Sequence, residues 1–253
     1  MRNIIAVLNQ KGGVGKTTTT INLAAYLAKS GHSVLVVDAD PQGNTTSGLG
    51  LDKNTLDCTL YDMLFSQAEA VNTIQKIDHA NIYLLPANAN LAGAEVELVN
   101  TPTRELQLKK VLDKLDFDCI LIDCPPSLGL LSVNALGAAS DILIPVQSEY
   151  YAMEGLSQLL ATIQQVRQAL NPNLNILGVI ITLYDSRTSL SQQVKTELER
   201  HFGDKVFKTI IPRNVRLAEA PSFGRTIIEH DKWSKGARAY KALAKELERK
   251  LQS

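Results

Sequence analysis

Seven short apolar runs punctuate the chain: residues 3–9 (NIIAVLN), 33–40 (SVLVVDAD), 81–87 (NIYLLPA), 118–126 (DCILIDCPP), 141–147 (DILIPVQ), 175–184 (NILGVIITLY) and 206–212 (VFKTIIP). All are rich in Ile, Val and Leu and scarcely alternate with polar residues, as strands buried on both faces of a parallel sheet do. Between them, residues 16–29, 103–115, 152–170, 188–202 and 235–251 repeat their apolar positions at helical spacing. Asn171-Pro172-Asn173 marks a stop after the long 152–170 segment. Strand alternating with helix predicts an α/β fold, a doubly wound and mostly parallel sheet with helices on both faces. No repeat, low-complexity stretch or long linker divides the 253 residues, so a single domain over 1–253 is expected.

Composition adds a core and a charge asymmetry. With 45% hydrophobic residues, few of them aromatic, the chain can bury a sizeable aliphatic interior. The formal net charge is zero, but residues 1–126 hold 10 basic against 14 acidic side chains, and the residues after Tyr184 hold 15 against 9. That surplus is either an uneven solvated surface or an anion-facing patch. Cys58, Cys119 and Cys124 are odd in number and match no zinc spacing; Cys119 lies in an apolar run and Cys124 ends it, which predicts buried free thiols there and a reducing, cytoplasmic setting. No apolar stretch nears the ~20 residues that span a bilayer, and the opening residues read as a strand rather than a signal peptide.

The first run leads into Gly12-Gly13-Val14-Gly15, then Lys16, Thr17 and Thr18 at the head of a helical segment. Consecutive glycines let backbone N–H groups turn inward around an anion, and the helix start adds partial positive charge. Gly-Lys-Thr is the close of a phosphate-binding loop, in which the lysine bridges the β- and γ-phosphates and the hydroxyl ligates Mg²⁺. The loop departs from the usual pattern: Gln10 stands where its first glycine belongs, and a second lysine, Lys11, follows. A dinucleotide fingerprint is the rival, with Gly13, Gly15 and Asp38, but Thr18 occupies its third glycine position and it leaves the Gly-Lys-Thr-Thr run unexplained.

Two more runs end in acids. Asp123 closes an apolar strand, where it would point into the ligand crevice and support Mg²⁺. Asp38 and Asp40 close another; Asp40 can face a γ-phosphate and orient the attacking water, and Asp38 is a further candidate for the metal. Sequence alone does not separate Asp38 from Asp123 in that role.

Together, KGGVGKTT, DADPQGN, ILIDCPPS and the segment IIPRNVRLAEAPSFG at 210–224 resemble the ParA/Soj partitioning ATPases, from Asn3 to about Leu247. The first is the deviant Walker A loop of a P-loop NTPase superfamily and the third its Walker B strand. The resemblance is to the short chromosomal type, with no DNA-binding extension expected before the ATPase core. It implies ATP and Mg²⁺ as ligands, a homodimer sandwiching two nucleotides, and Lys11 reaching the phosphates bound by the opposite subunit. It also implies a ParB/Spo0J-type partner that stimulates hydrolysis, and an association with the nucleoid. Segment 210–224 would close over the adenine, with Pro212 and Asn214 as contacts. Basic residues matching Arg187 and Arg216 would bind double-stranded DNA without sequence preference, with Arg225 and Lys235 as further candidates in the same basic third.

Three other members of the superfamily fit less well. A membrane-positioning ATPase of the MinD type would end in a lipid-facing amphipathic helix. Here Ala237, Tyr240, Ala244, Leu247 and Leu251 form a narrow stripe that suits packing on the protein's own core, so no membrane partner is expected. An iron protein would place two cysteines at loops facing a dimer axis, whereas Cys119 and Cys124 bracket an apolar strand. A metabolic ligase would carry a motif for a carboxylic substrate, and none is evident.

Overall fold

The computed structural model describes residues 2–66, 68–149 and 152–252. Seven strands form one sheet: β1 (Asn3–Val7), β2 (Val34–Asp38), β3 (Gln75–Ile77), β4 (Ile82–Leu85), β5 (Cys119–Asp123), β6 (Asp141–Gln147) and β7 (Asn175–Thr182). Their order is β3-β4-β2-β5-β1-β6-β7, and every pairing is parallel except the β3–β4 hairpin at one edge. The expected doubly wound sheet is therefore present. Its central strands are apolar along most of their length because both faces are covered. Ile4, Ala6 and Leu8 face a layer containing Leu98, Leu131, Leu159 and Leu198, while Ile5 and Val7 face Ile21, Leu27, Leu243 and Leu247.

The helical segments lie close to their expected bounds: Lys16–Lys29, Ala152–Ala169, Ser189–Phe202 and Lys235–Gln252. Thr188 starts the third of these, its hydroxyl accepting the Ser191 N–H at 3.3 Å. Residues 103–115 are broken: a 3₁₀ turn at Arg104–Leu106 precedes a helix limited to Gln107–Leu112, after Thr103 enters a left-handed turn at φ 51°. The last helix turns Ala237, Tyr240, Leu243, Ala244 and Leu247 onto the core.

One expected strand is absent. Residues 206–212 make two isolated parallel bridges to the β7 side, Val179 with Val206 and Tyr184 with Pro212, rather than an eighth strand. The Phe207 and Ile211 N–H groups donate to the Val179 and Ile181 carbonyls, both at 2.9 Å. Between them, the N–H groups of Lys208 and Thr209 donate to the Glu246 carboxylate on the last helix, at 2.7 and 2.9 Å. A side chain thus takes the amides that a ladder would need.

Candidate functional site

The glycine loop leaves β1 between β5 and β6, so it opens at the carboxyl ends of three adjacent strands, where doubly wound folds place their ligands. Its shape is fixed from both ends. Asn9 donates to the Pro145 carbonyl at 2.7 Å and accepts the Lys11 N–H at 3.0 Å. Thr182, at the end of β7, donates to the Val14 carbonyl at 2.7 Å. Gly13 and Gly15 sit at φ 74° and 90°, conformations that side chains disfavour. Gly15 precedes the Lys16–Lys29 helix without any side-chain cap, and no acid lies in the first turn, so the helix head is left for an anion.

Lys16 is buried and donates from Nζ to the Lys11 carbonyl at 3.2 Å, across its own loop. Burial lowers its pKa, against the opposing pull of Asp123 and Asp40. Thr17 Oγ1 donates to Asp123 Oδ2 at 2.7 Å, and Thr45 Oγ1 donates to the same oxygen at 2.7 Å. Asp123 Oδ1 is buried with no hydrogen-bond partner. Burial pushes the Asp123 carboxyl up to about 6, while Thr17, Thr45 and Lys16 pull the other way. Thr18 lies one position on, its carbonyl accepting from Asn22 Nδ2 at 2.8 Å.

The β2–β5 register sets Asp38 directly opposite Asp123. Asp38 is fully buried; its Oδ2 accepts from Thr46 N at 2.8 Å and Thr46 Oγ1 at 2.7 Å, and its Oδ1 accepts from Asp40 N at 3.3 Å. Burial, and then the neighbouring Asp123 charge, raise its pKa to about 8. Asp40 follows at the strand exit with Oδ1 accepting from Gln42 N at 2.9 Å. Both Asp38 oxygens are thus engaged, whereas Asp123 keeps one free beside the Thr17 hydroxyl. A hard oxygen set with an orphaned carboxylate oxygen fits Mg²⁺. Among the described residues no group of three His, Cys, Asp or Glu could hold a metal.

Lys11 lies apart from Lys16. Its Nζ is 3.1 Å from Glu149 Oε2, and Arg213 reaches 3.8 Å from the other oxygen of that carboxylate. Sequence reasoning missed Glu149, Thr45, Thr46 and Thr182. Thr45 and Thr46 stand immediately after the DADPQGN run and could have been found there, whereas Glu149 and Thr182 come from distant strand ends.

In the 210–224 segment, Arg213 N donates to the Tyr184 carbonyl at 3.0 Å, and Asn214 leads into the Val215–Glu219 helix with its Oδ1 buried and unpartnered. The segment also packs on the Asn44–Gly48 helix: Gly50 and Gly224, both at positive φ, meet so closely that a Cβ on Gly224 would lie 2.6 Å from Gly50 Cα. The basic candidates are dispersed in state. Arg187 makes two hydrogen bonds to the Asp185 carboxylate, at 2.9 and 2.7 Å, and holds that carboxyl far below its usual range. Arg216 lies 2.9 Å from Glu219 and 3.6 Å from Asp231. Arg225 and Lys235 are exposed.

Comparison with known proteins matches residues 2–176 to the family described as AAA domain. The chain is 54% identical over 249 residues to the sporulation initiation inhibitor protein Soj of Bacillus subtilis, covering 98% of both chains. It is 53% identical to the chromosome-partitioning ATPase Soj of Thermus thermophilus, covering 98% of this chain and 96% of the relative. Among solved structures, a cobyrinic acid a,c-diamide synthase of Mycobacterium smegmatis with bound ADP and magnesium is similar, with 42% identity, a TM-score of 0.88, and coverage of 100% of this chain and 96% of that one. With near-complete alignment at this identity, and with the deviant loop, the paired acids and the Thr17–Asp123 contact in one crevice, the chain belongs to the ParA/Soj family of partitioning ATPases.

Proposed function

We propose that this chain is a single-domain, Mg²⁺-dependent ATPase whose ATP-bound form pairs into a sandwich dimer that holds DNA without sequence preference. The loop amides and Lys16 bind the phosphates; Thr17 and Asp123 hold Mg²⁺, which screens the phosphate charge. Asp40, anchored by Gln42 at the end of β2, orients the attacking water. Asp38 acts behind them, holding the Asn44–Gly48 helix through Thr46, and would add negative charge behind the metal once ionised. Pro212 and Asn214 line the adenine; the unpartnered Asn214 Oδ1 suits an amine donor. Arg187, Arg216, Arg225 and Lys235 contribute to DNA contact, and a ParB/Spo0J-type protein stimulates hydrolysis and so releases the complex.

One observation carries the reading. A single subunit already supplies a buried lysine to its own loop, while Lys11 sits outside it on Glu149. A cation held in reserve at the loop rim suits delivery to a second subunit's phosphates, as an arginine finger is delivered. Such a finger contributes on the order of 10³–10⁵ in rate.

The similarity to a protein named for diamide synthesis keeps a metabolic reading in view. The chain carries no evident motif for a carboxylic substrate, and of its three cysteines only Cys58 is not buried. Burial pushes the Cys119 thiol up to about 12 and the Cys124 thiol higher still. A membrane reading has no support from the last helix, whose apolar stripe is spent on the core, and no helix among the described residues can cross a bilayer. DNA binding with ATP, with ADP and without nucleotide is the deciding experiment, with light scattering on the same samples. Binding and dimerisation that appear together only with ATP are expected. Binding that is equal with ADP removes the switch, and ATP-dependent sedimentation with liposomes but not DNA replaces the reading with the membrane one.

A further inference from the structure

Two of the four cations expected to meet DNA are neutralised. Arg187 is locked on Asp185 and Arg216 on Glu219 and Asp231. To contact a phosphate, each must release a carboxylate, so the net gain in counterion release is small. Elsewhere the protein carries cations with no such partner. A cleft of about 380 Å³ opens between the end of the Lys16–Lys29 helix and the last helix, bordered by Lys29, Lys232, Lys241 and Lys245, with Tyr26 at its floor and Trp233 on its rim. No acidic residue lines it. Among the described residues, none of these four lysines lies within 4.0 Å of a carboxylate.

Trp233 is 78% exposed, with the Lys232 ammonium 5.3 Å from its ring centre. An exposed indole that no core residue needs is a contact group in waiting: an apolar plate with one N–H donor. A second cleft shares Lys245 and continues the surface past Lys208 and Arg249. The one acid there, Glu246, is occupied by the Lys208 and Thr209 N–H groups. Along the last helix, Lys241, Lys245 and Arg249 recur every four residues, on one face and about 6 Å apart at ~1.5 Å rise per residue. Two nucleotide steps along one DNA strand cover about 7 Å at ~3.4 Å each.

We propose that this strip, from Lys29 and Trp233 along Lys241, Lys245 and Arg249, is a DNA-contacting surface that grips the phosphate backbone of duplex DNA. The inference rests on the DNA-binding reading above and deepens it. It adds the strip's cations along the last helix to the Arg187, Arg216, Arg225 and Lys235 contacts of that reading. Contacts of this kind carry no base readout, because lysine ammoniums and an indole N–H reach phosphate oxygens and not base edges.

Trp233 is the chain's only tryptophan, so its emission reports on the cleft directly. Full-length protein with Mg-ATP is titrated with two unrelated duplexes over a salt series. Binding is followed by filter retention and by Trp233 emission, beside the double variant Lys241→Gln/Lys245→Gln. Emission should change with the same midpoint as retention. The double variant should still dimerise with ATP by light scattering. Its log K against log salt should be shallower by about 1.8 per engaged subunit, at ~0.9 per lost phosphate contact. Retention of DNA with silent Trp233 emission and an unchanged salt slope overturns the strip while leaving DNA binding intact. Wild type that binds neither duplex with ATP overturns the DNA-binding reading itself. Loss of binding to phosphatidylglycerol vesicles, with DNA binding unchanged in the variant, reassigns the strip to lipid and overturns the proposal.

Discussion

Replacing Asp38 by asparagine should make the metal-free protein more stable at pH 8 and a poorer Mg²⁺-dependent ATPase. The Asp38 carboxyl has a pKa of about 8 in the fold, far above an unfolded aspartate at ~3.9. Between those values the native group keeps a proton that the unfolded chain sheds. Stability is therefore present at low pH and falls as pH rises through the window, at about 1.4 kcal/mol per pH unit for each such group. Asp123, raised to about 6, adds the same slope between ~4 and ~6. From pH 6 to 8 Asp38 acts alone. An asparagine at 38 can still accept both Thr46 hydrogen bonds and gives up the 3.3 Å acceptance from Asp40 N, a loss of about 1 kcal/mol. Counted from the ~3.9 of an unfolded aspartate, the cost is already about 3 kcal/mol at pH 6 and about 5 kcal/mol at pH 8, so the net gain is about 2 kcal/mol at pH 6 and about 4 kcal/mol at pH 8. Urea denaturation of both proteins in a chelator, at pH 6, 7 and 8, measures it. A variant less stable than wild type at pH 8, or a difference constant across the three pH values, would refute the reasoning. The same logic makes Mg²⁺ stabilise wild type increasingly from pH 6 to 8 and the variant with a much weaker pH dependence.

Lys16→Ala should lower ATP affinity itself, read by titration with a fluorescent analogue; unchanged affinity would show the loop misassigned. Asp40→Ala and Lys11→Ala should both abolish hydrolysis but part company in light scattering with Mg-ATP, the first trapping a dimer and the second remaining monomeric. Glu149→Gln releases Lys11 from a half-exposed pair contributing at most ~1 kcal/mol, so half-dimerisation should need up to about fivefold less ATP; an unchanged or higher requirement argues that Glu149 does not hold Lys11 back. Gly224→Ala forces a side chain at φ 61° against Gly50 Cα and should cost about 2–5 kcal/mol, seen as a lowered Tm; a wild-type Tm would mean the contact yields freely.

Much of the site was legible because its signals are local. Gly13 and Gly15 announce a backbone conformation, Lys16 and Thr17 follow in register, and Asp38 and Asp123 end apolar runs. What escaped is what other parts of the chain bring. Thr182 supports the loop from β7, and Glu149 meets Lys11 across 138 positions of sequence. That Asp123 keeps an oxygen without a donor while both Asp38 oxygens are engaged is a property of packing rather than of residue type. In the fold, residues 206–212 carry the same Ile and Val signal as a true strand, and only Glu246, forty residues on, diverts their amides. The Leu130–Ala138 helix escaped because it is buried nearly all round and so shows no amphipathic period.

The diversion of residues 206–212 has a consequence for how copies of this chain can meet. Their amides at Phe207 and Ile211 occupy carbonyls on the outer rim of β7, and the opposite rim is the three-residue β3 with Lys76 paired to Asp78 beside it. Neither rim offers a long row of vacant backbone groups for another chain to extend. Strand-to-strand addition between copies is therefore disfavoured at both rims. Association is left to side-chain surfaces, whose contacts form and break without unpairing the sheet.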